Sequence, residues 1–308
     1  MERFVIIIAG PTCSGKTRLS QIIAQRLDTE IISADSRQIY KYLDIGTAKP
    51  SADELKKIKH HFIDYLEPDE YYNVSRYENE SLAVIQNLID KNKIPVVAGG
   101  SGLYIKAMVD GIFDSVDADE EYRVELLEQR EKHGNEFLYE QLQKVDPESA
   151  SKMLPQNWKR VIRALEVFHA SGKKIHELQK EHKRETEYSF IQFGLNWSRD
   201  VLYKNIEARV DEMIDNGLIE ETKNVLAKGF APNINALNTV GYKEVIGFLN
   251  GELTYQRMIE LIKRNTRRYA KRQFTWFRKD ERIKWIDVLS IDDFESIADK
   301  IIEQVHGS

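Results

Sequence analysis

The stretch that most restricts how this chain can fold is FVIIIAGPTCSGKT, residues 4–17. An apolar run, Phe4 to Ala9, ends in Gly10, and Gly10, Gly15, Lys16 and Thr17 then satisfy G-x-x-x-x-G-K-[ST] at every fixed position. The two glycines let the backbone curl so that successive N–H groups of Gly10, Pro11, Thr12, Cys13, Ser14 and Gly15 surround one anion, proline contributing only shape. Lys16 adds a cation, and Thr17 offers a hydroxyl to a Mg²⁺ bridging the phosphate oxygens. From Thr17 to Leu27, Leu19, Ile22, Ile23 and Leu27 recur at helical spacing, so the loop opens a helix whose N-terminus also favours an anion. Strand, loop and helix are therefore all present, and the residues leave open whose phosphate is held.

With 308 residues, 42% hydrophobic and 31% charged, the chain belongs among globular proteins of one large or two modest domains. No run reaches the roughly 20 apolar residues of a membrane span, and the N-terminal run is too short for a secretory signal, so the expected location is the cytoplasm. A single cysteine, Cys13, excludes an internal disulfide and a Cys-based zinc site, and the seven histidines show no metal-ligand spacing. Net charge is −5, yet between Arg257 and Lys284 there are 11 Lys/Arg against Glu260, Asp280 and Glu281.

Further strands are expected at Glu30–Ala34, His60–Asp64 and Ile94–Ala98, with a helix over Val74–Asn92 between them. That alternation is the rhythm of a parallel sheet. From about Asp114 to Lys183 only short amphipathic helices are expected, Tyr122–His133, Glu136–Lys144 and Trp158–Ser171. A strand then re-enters at Tyr188–Trp197, and helices follow at Arg199–Gly217, Glu220–Ala227, Thr239–Phe248, Tyr255–Lys279 and Asp292–Val305, with a last strand at Ile283–Val288. The expected organisation is an α/β core, residues 1–114 and 188–308, interrupted by a helical insertion, 115–187.

Asp35 follows the second strand and so falls beside the loop at the carboxyl edge of the sheet. A carboxylate there suits a metal ligand or a general base, and equally a turn cap. The glycines of Gly99-Gly100-Ser101-Gly102 are expected to let a substrate or nucleic-acid backbone approach. Arg264, Arg267, Arg268, Lys271 and Arg272 recur at three- and four-residue steps, with Tyr269, Phe274, Trp276 and Phe277 interleaved. Such a face suits an RNA backbone with an unstacked base. On these residues alone a phosphate-loop small-molecule kinase and a non-catalytic RNA-binding nucleotide switch also stand.

Seven segments, GPTCSGKT, SADSRQIYKYLDIGTAKP, HHFIDYLEP, VVAGGSGLY, NWKRVIRALEV, NTVGYKE and KRQFTWFR, in this order and spacing, resemble the bacterial tRNA dimethylallyltransferases, or tRNA isopentenyltransferases. The resemblance runs from residue 4 to about 286. It departs at Gln156-Asn157-Trp158-Lys159-Arg160, where many relatives carry Asp-Pro-Gln-Arg. It implies a P-loop NTPase-like three-layer fold and transfer of a dimethylallyl group from dimethylallyl diphosphate to N6 of adenosine 37, beside the anticodon. The anion in the loop is then a diphosphate leaving group rather than ATP.

By the same resemblance Asp35 is the general base, Thr12 contacts the prenyl diphosphate, and Arg209 is a further diphosphate ligand. The target base leaves the anticodon stack and enters a channel, meeting Asp35, Ser36, Arg37 and Gln38. Ser101 and Arg123 occupy tRNA-contact positions. Lys159, Arg160 and Arg163, then Thr239, Gly241, Tyr242 and Lys243, then Lys271, Arg272, Gln273, Thr275, Trp276 and Arg278, line the RNA side. One active site within one chain implies a monomer.

Overall fold

A computed structural model describes residues 3–112, 119–181 and 186–307. The chain divides into two compact units, Met1–Val109 with Thr186–Ser308, and Asp110–Glu185. The boundary expected at residues 114–115 lies outside the described residues.

The first unit begins with β1, Arg3–Ala9, whose buried residues alternate between two cores: Val5, Ile7 and Ala9 face one, Ile6 and Ile8 the other. A strand buried on both faces reads as a continuous apolar run, which is what residues 4–9 are. Then come α1, Lys16–Arg26; β2, Ile31–Ser33; α2, Ala52–Lys57; β3, His60–His61; α3, Val74–Asp90; β4, Val96–Gly99; and α4, Gly102–Asp110. The third strand is shorter than expected, because Phe62 and Asp64 adopt positive φ of 63° and 51° and turn the chain out of the sheet. Helix α2 was not anticipated, although Ser51 and Glu54 form a complete capping box at its start.

The second unit holds α5, Glu120–His133; α6, Asn135–Val145; α7, Pro147–Ser151; α8, Trp158–Ser171; and α9, Ile175–Glu181. It has its own core of Leu126, Leu138, Leu142, Val161, Ile162 and Leu165. Among its described residues there is no strand, as the punctuation by Pro147, Pro155 and Gly172 implied.

The chain then returns to the first unit with β5, Tyr188–Trp197; α10, Arg199–Asp215; α11, Leu218–Ala227; α12, Tyr242–Leu249; α13, Tyr255–Phe277; β6, Lys284–Val288; and α14, Phe294–His306. All six strands are parallel, in the order β3-β2-β4-β1-β5-β6. One face is covered by α3, α4, α11, α12 and much of α13, through residues such as Tyr77, Met108, Val225, Val245 and Ile262. The other is covered by α1 and α14, through Leu19, Ile23, Phe294 and Ile301, and by the start of α10. The result is the three-layer arrangement with a helical insertion.

Candidate active site

Parallel strands all end on the same edge, and the segments leaving β1, β2 and β4 carry the phosphate loop, Asp35 and Gly100-Ser101. Gly15 adopts a left-handed φ of 83° at the N-cap of α1, and a Cβ there would lie 2.4 Å from the Phe294 ring. The loop is braced on several sides. Ser14 Oγ donates to the Pro11 carbonyl at 2.9 Å, and Trp197 Nε1 donates to the Ser14 carbonyl at 2.9 Å. The Thr12 amide donates to Gln273 Oε1 at 2.8 Å, while Gln273 Nε2 donates to the Gly100 carbonyl at 2.9 Å. Gly10, Pro11 and Ser14 thus shape the loop, and Thr12, Cys13, Gly15, Lys16 and Thr17 line a cavity of about 670 Å³.

Asp35 and Arg209 open into that same cavity. Asp35 Oδ1 accepts from the amides of Arg37 at 2.8 Å and Gln38 at 3.3 Å, so it caps the turn, and Oδ2 has no hydrogen-bond partner among the described residues. The structural and chemical readings of this residue are therefore compatible, one oxygen serving each. Lys16 Nζ donates to the Pro11 carbonyl at 2.5 Å. Its pKa falls from an ordinary 10.5 to about 8, chiefly by desolvation, with Arg209 adding to the fall and Asp35 and Cys13 opposing it. Arg209 has no carboxylate partner within 4 Å among the described residues and lies one helical turn from Met213, also a lining residue. Two cations converge where an anion would sit.

A second cavity, of about 300 Å³, shares Thr12, Cys13, Asp35, Arg209, Met213 and Tyr269 with the first. Its other walls include Ser36, Arg37, Thr239, Lys243 and Arg272. Arg272 lies over the Tyr269 ring at 5.7 Å, and burial pushes the Tyr269 phenol well above its usual range, so it stays neutral. Asp35 thus stands between a cationic anion site and a second opening rimmed by Arg37, Lys243 and Arg272.

Several residues expected on the RNA side have other work. Tyr242 is fully buried, and its hydroxyl donates to Glu221 Oε1 at 2.6 Å. Gln273 is 6% exposed and braces the loop. The Gly241 amide donates to Glu244 Oε2 at 2.7 Å and is buried. Ser101 Oγ accepts from the Ser36 amide at 2.9 Å and fixes the turn after Asp35. Gln38 Nε2 donates to the carbonyls of Thr47 and Ala48, at 3.2 and 3.0 Å, tying that turn to the loop over Asp44–Pro50.

The glycines at the end of β4 make room for the protein's own chain, while Gly99 and Gly100 also line the first cavity. A Cβ on Gly99 would lie 2.1 Å from the Ala34 carbonyl, one on Gly100 2.2 Å from Gln273, and one on Gly102 2.1 Å from Trp276. They admit Ala34, just after β2, and α13. The aromatics of α13 are likewise mainly packing groups: Phe277 is buried and Phe274 stacks on Trp285 at 5.9 Å.

The basic face of α13 is divided. Lys263 pairs with Asp211 at 2.7 Å and Arg267 with Glu207 at 2.6 Å, both acids coming from α10. Arg268, Lys271 and Arg272 are exposed and have no acidic partner within 4 Å among the described residues. Thr275 and Arg278 continue this exposed end, with Trp276 38% exposed.

In the helical unit, Arg123 and Arg163 flank the buried Glu166 at 3.4 and 3.9 Å. Burial raises the Glu166 pKa, and the two arginines pull against that rise. Lys159 and Arg160 are exposed.

Glu221 was not signalled by any local pattern. Its carboxylate accepts from the amides of Asp44, Ile45 and Gly46 at 2.9, 2.7 and 3.1 Å, holding the loop that carries Thr47 and Ala48 into both cavities. Lys49 anchors the same loop, donating to the Tyr40 carbonyl at 2.7 Å and pairing with Asp44 and Asp64.

Among the described residues no group of three or more His, Cys, Asp or Glu could hold a metal ion, and no helix is long and apolar enough to cross a membrane.

Comparison with known proteins agrees with this geometry. The model of the family described as IPP transferase matches residues 38–280. The chain is 46% identical over 307 residues to the tRNA dimethylallyltransferase of Thermodesulfovibrio yellowstonii, covering 98% of this chain and 97% of that protein. It is 44% identical to that of Alkaliphilus oremlandii, covering 100% and 98%. Among solved structures, the tRNA isopentenylpyrophosphate transferase of Bacillus halodurans superposes with a TM-score of 0.73 at 36% identity, covering 100% of this chain and 98% of that one. A eukaryotic dimethylallyltransferase, captured acting on tRNA, superposes with a TM-score of 0.82 at 29% identity, covering 97% and 77%. The three-layer core is accordingly P-loop NTPase-like, and the chain belongs to the IPP transferase family, that of the tRNA dimethylallyltransferases.

Proposed function

We propose that this chain transfers the dimethylallyl group from dimethylallyl diphosphate to N6 of adenosine 37 in the anticodon stem-loop of tRNA, releasing diphosphate. The observation that carries the reading is the position of Asp35, between a cavity with two convergent cations and a second cavity with a basic rim. The diphosphate is bound by Lys16, Arg209 and the first amides of α1, which have no intrahelical partner. Drawing off the diphosphate's charge weakens the allylic C1–O bond, whose electron pair leaves with the diphosphate. The N6 lone pair forms the new bond to C1, and the free oxygen of Asp35 takes the N6 proton. Without that base the exocyclic amine, its lone pair delocalised into the ring, is a poor nucleophile.

The donor set suits a Mg²⁺ carried mainly by the substrate. Thr17, whose hydroxyl faces the cavity, would hold the ion together with the substrate, since no group of three or more His, Cys, Asp or Glu among the described residues could hold one. When bound, such an ion neutralises leaving-group charge.

The adenine enters from the second cavity after leaving the anticodon stack, with Tyr269 as an aromatic wall. Arg268, Lys271 and Arg272 hold RNA phosphates, and the helical unit supplies Lys159, Arg160 and Arg123 to the same polyanion. Action on tRNA by a single chain makes it a cytoplasmic enzyme that works as a monomer. Neutralising Arg268 and Lys271 together is expected to weaken tRNA binding and lower the log–log salt slope by about one per charge removed. An unchanged slope in a salt titration rules these residues out as phosphate contacts.

The test of the whole reading is incubation with tRNA, Mg²⁺ and labelled dimethylallyl diphosphate, followed by mass analysis of the nucleosides. The expected result is one prenylated adenosine per tRNA. No prenylated nucleoside there, with ATP consumed in a parallel incubation supplied with ATP, would mean a kinase, and RNA binding with neither reaction a nucleotide switch.

A further inference from the structure

We infer that Met213 limits the length of the donor's hydrocarbon chain; this rests on the transfer reaction proposed above. The donor is an anionic head joined to a short apolar tail, so its site must change from cationic to apolar within one small-molecule length. Helix α10 makes that change in one turn: Arg209 and Met213, at i and i+4, share a helix face, and both line both cavities. With the head at Arg209 and Lys16, and C1 beside Asp35, the tail lies along the wall that the cavities share.

The apolar side chains of that wall are Cys13, Ala48 and Met213, with the Tyr269 ring. Cys13 and Ala48 are small and sit on constrained backbone, with φ of 61° and 51°. The Ala48 carbonyl is also held by Gln38 at 3.0 Å, so this side does not adjust to a longer chain. Met213 is the long, flexible member, partly buried against the core. The second cavity, besides its basic rim, is lined by Ile206, Val210, Val240 and Ile262, apolar side chains against which a longer tail would have to lie. On this inference the Met213 thioether arm fills the room that carbons beyond the fifth would take.

The reaction itself is unchanged for a longer donor, since the bonds broken and formed at C1 are the same. The experiment compares kcat/KM for dimethylallyl and geranyl diphosphate, with tRNA as acceptor, in the wild type, Met213→Leu and Met213→Ala. The wild type is expected to favour dimethylallyl strongly and Met213→Leu to keep that preference. Met213→Ala is expected to shift the ratio toward the ten-carbon donor by at least about tenfold, the effect of altered apolar fit in a pocket. A ratio unmoved in Met213→Ala overturns the inference, as does a parallel loss with both donors, which would mark Met213 as merely structural. If the wild type prenylates tRNA with neither donor, the proposed function itself fails, a result distinct from an unmoved ratio.

Discussion

Asp35→Asn is expected to lower kcat for prenyl transfer by about 10²–10⁴-fold, the range for loss of a general base, while tRNA affinity stays within a few-fold. The substitution separates the two jobs of this side chain. An asparagine oxygen can still accept from the Arg37 and Gln38 amides, as Asp35 Oδ1 does at 2.8 and 3.3 Å, so the turn is kept. What is lost is the carboxylate's ability to take the N6 proton. Single-turnover transfer with donor and tRNA both saturating reads the chemical step directly. Transfer at near wild-type rate would remove Asp35 from the role of base. Asp35→Ala loses the cap as well, so extra destabilisation in that variant measures the turn.

Lys16→Ala is expected to lower kcat/KM for the diphosphate donor by about 10²–10³-fold, as removal of a preorganised group facing a developing anion does. The pH dependence gives a sharper signature. Lys16 has a folded pKa of about 8 against an ordinary 10.5, because the ammonium is desolvated and faces Arg209. The protonated form is therefore disfavoured by the fold. Its cost to stability is fully present below pH 8 and is relieved as pH rises from 8 toward 10.5.

A bound diphosphate reverses that preference, so binding near pH 8 to 9 takes up a proton. If only the ammonium form binds, donor Kd weakens by about tenfold between pH 7 and 9. Calorimetry in buffers of different ionisation enthalpy reads the proton uptake. Lys16→Arg keeps its charge throughout and is expected to give a flat profile over this range. A wild-type Kd independent of pH, with no proton uptake, would mean that Lys16 does not meet the diphosphate. Because Lys16→Ala removes a desolvated cation, the ligand-free variant is expected to melt no lower than the wild type below pH 8.

Local chemistry made the phosphate loop, the parallel sheet and Asp35 legible. Gly10, Gly15, Lys16 and Thr17 act through backbone shape and charge within a few residues, and a strand such as Phe4–Ala9, buried on both sides, has no polar face to disguise it. Arg209 was found through family resemblance, and Met213 beside it could have been found from the i+4 spacing alone. Helix α2 was legible too, through Ser51 and Glu54, and was missed because the preceding Gly and Pro read as loop.

What local pattern could not supply is partnership across the chain. Gln273 and Tyr242 were placed on the RNA side by the family resemblance alone. Their burial is decided by Thr12, 261 residues from Gln273, and by Glu221. The same limit applies to the glycines at the end of β4, packed against Ala34 and α13, and to the basic face of α13, where α10 pairs with Lys263 and Arg267.

The sequence by itself determined the edge of the sheet at which chemistry happens and the charge of what binds there, because helix and strand periods and the phosphate loop are properties of neighbouring residues. Only the tertiary structure decided which cations of α13 are left without an acidic partner among the described residues, which polar side chains brace the loop, and that Asp35 lines two cavities. Those outcomes depend on desolvation and on hydrogen bonds between segments far apart in the chain, which no local period records.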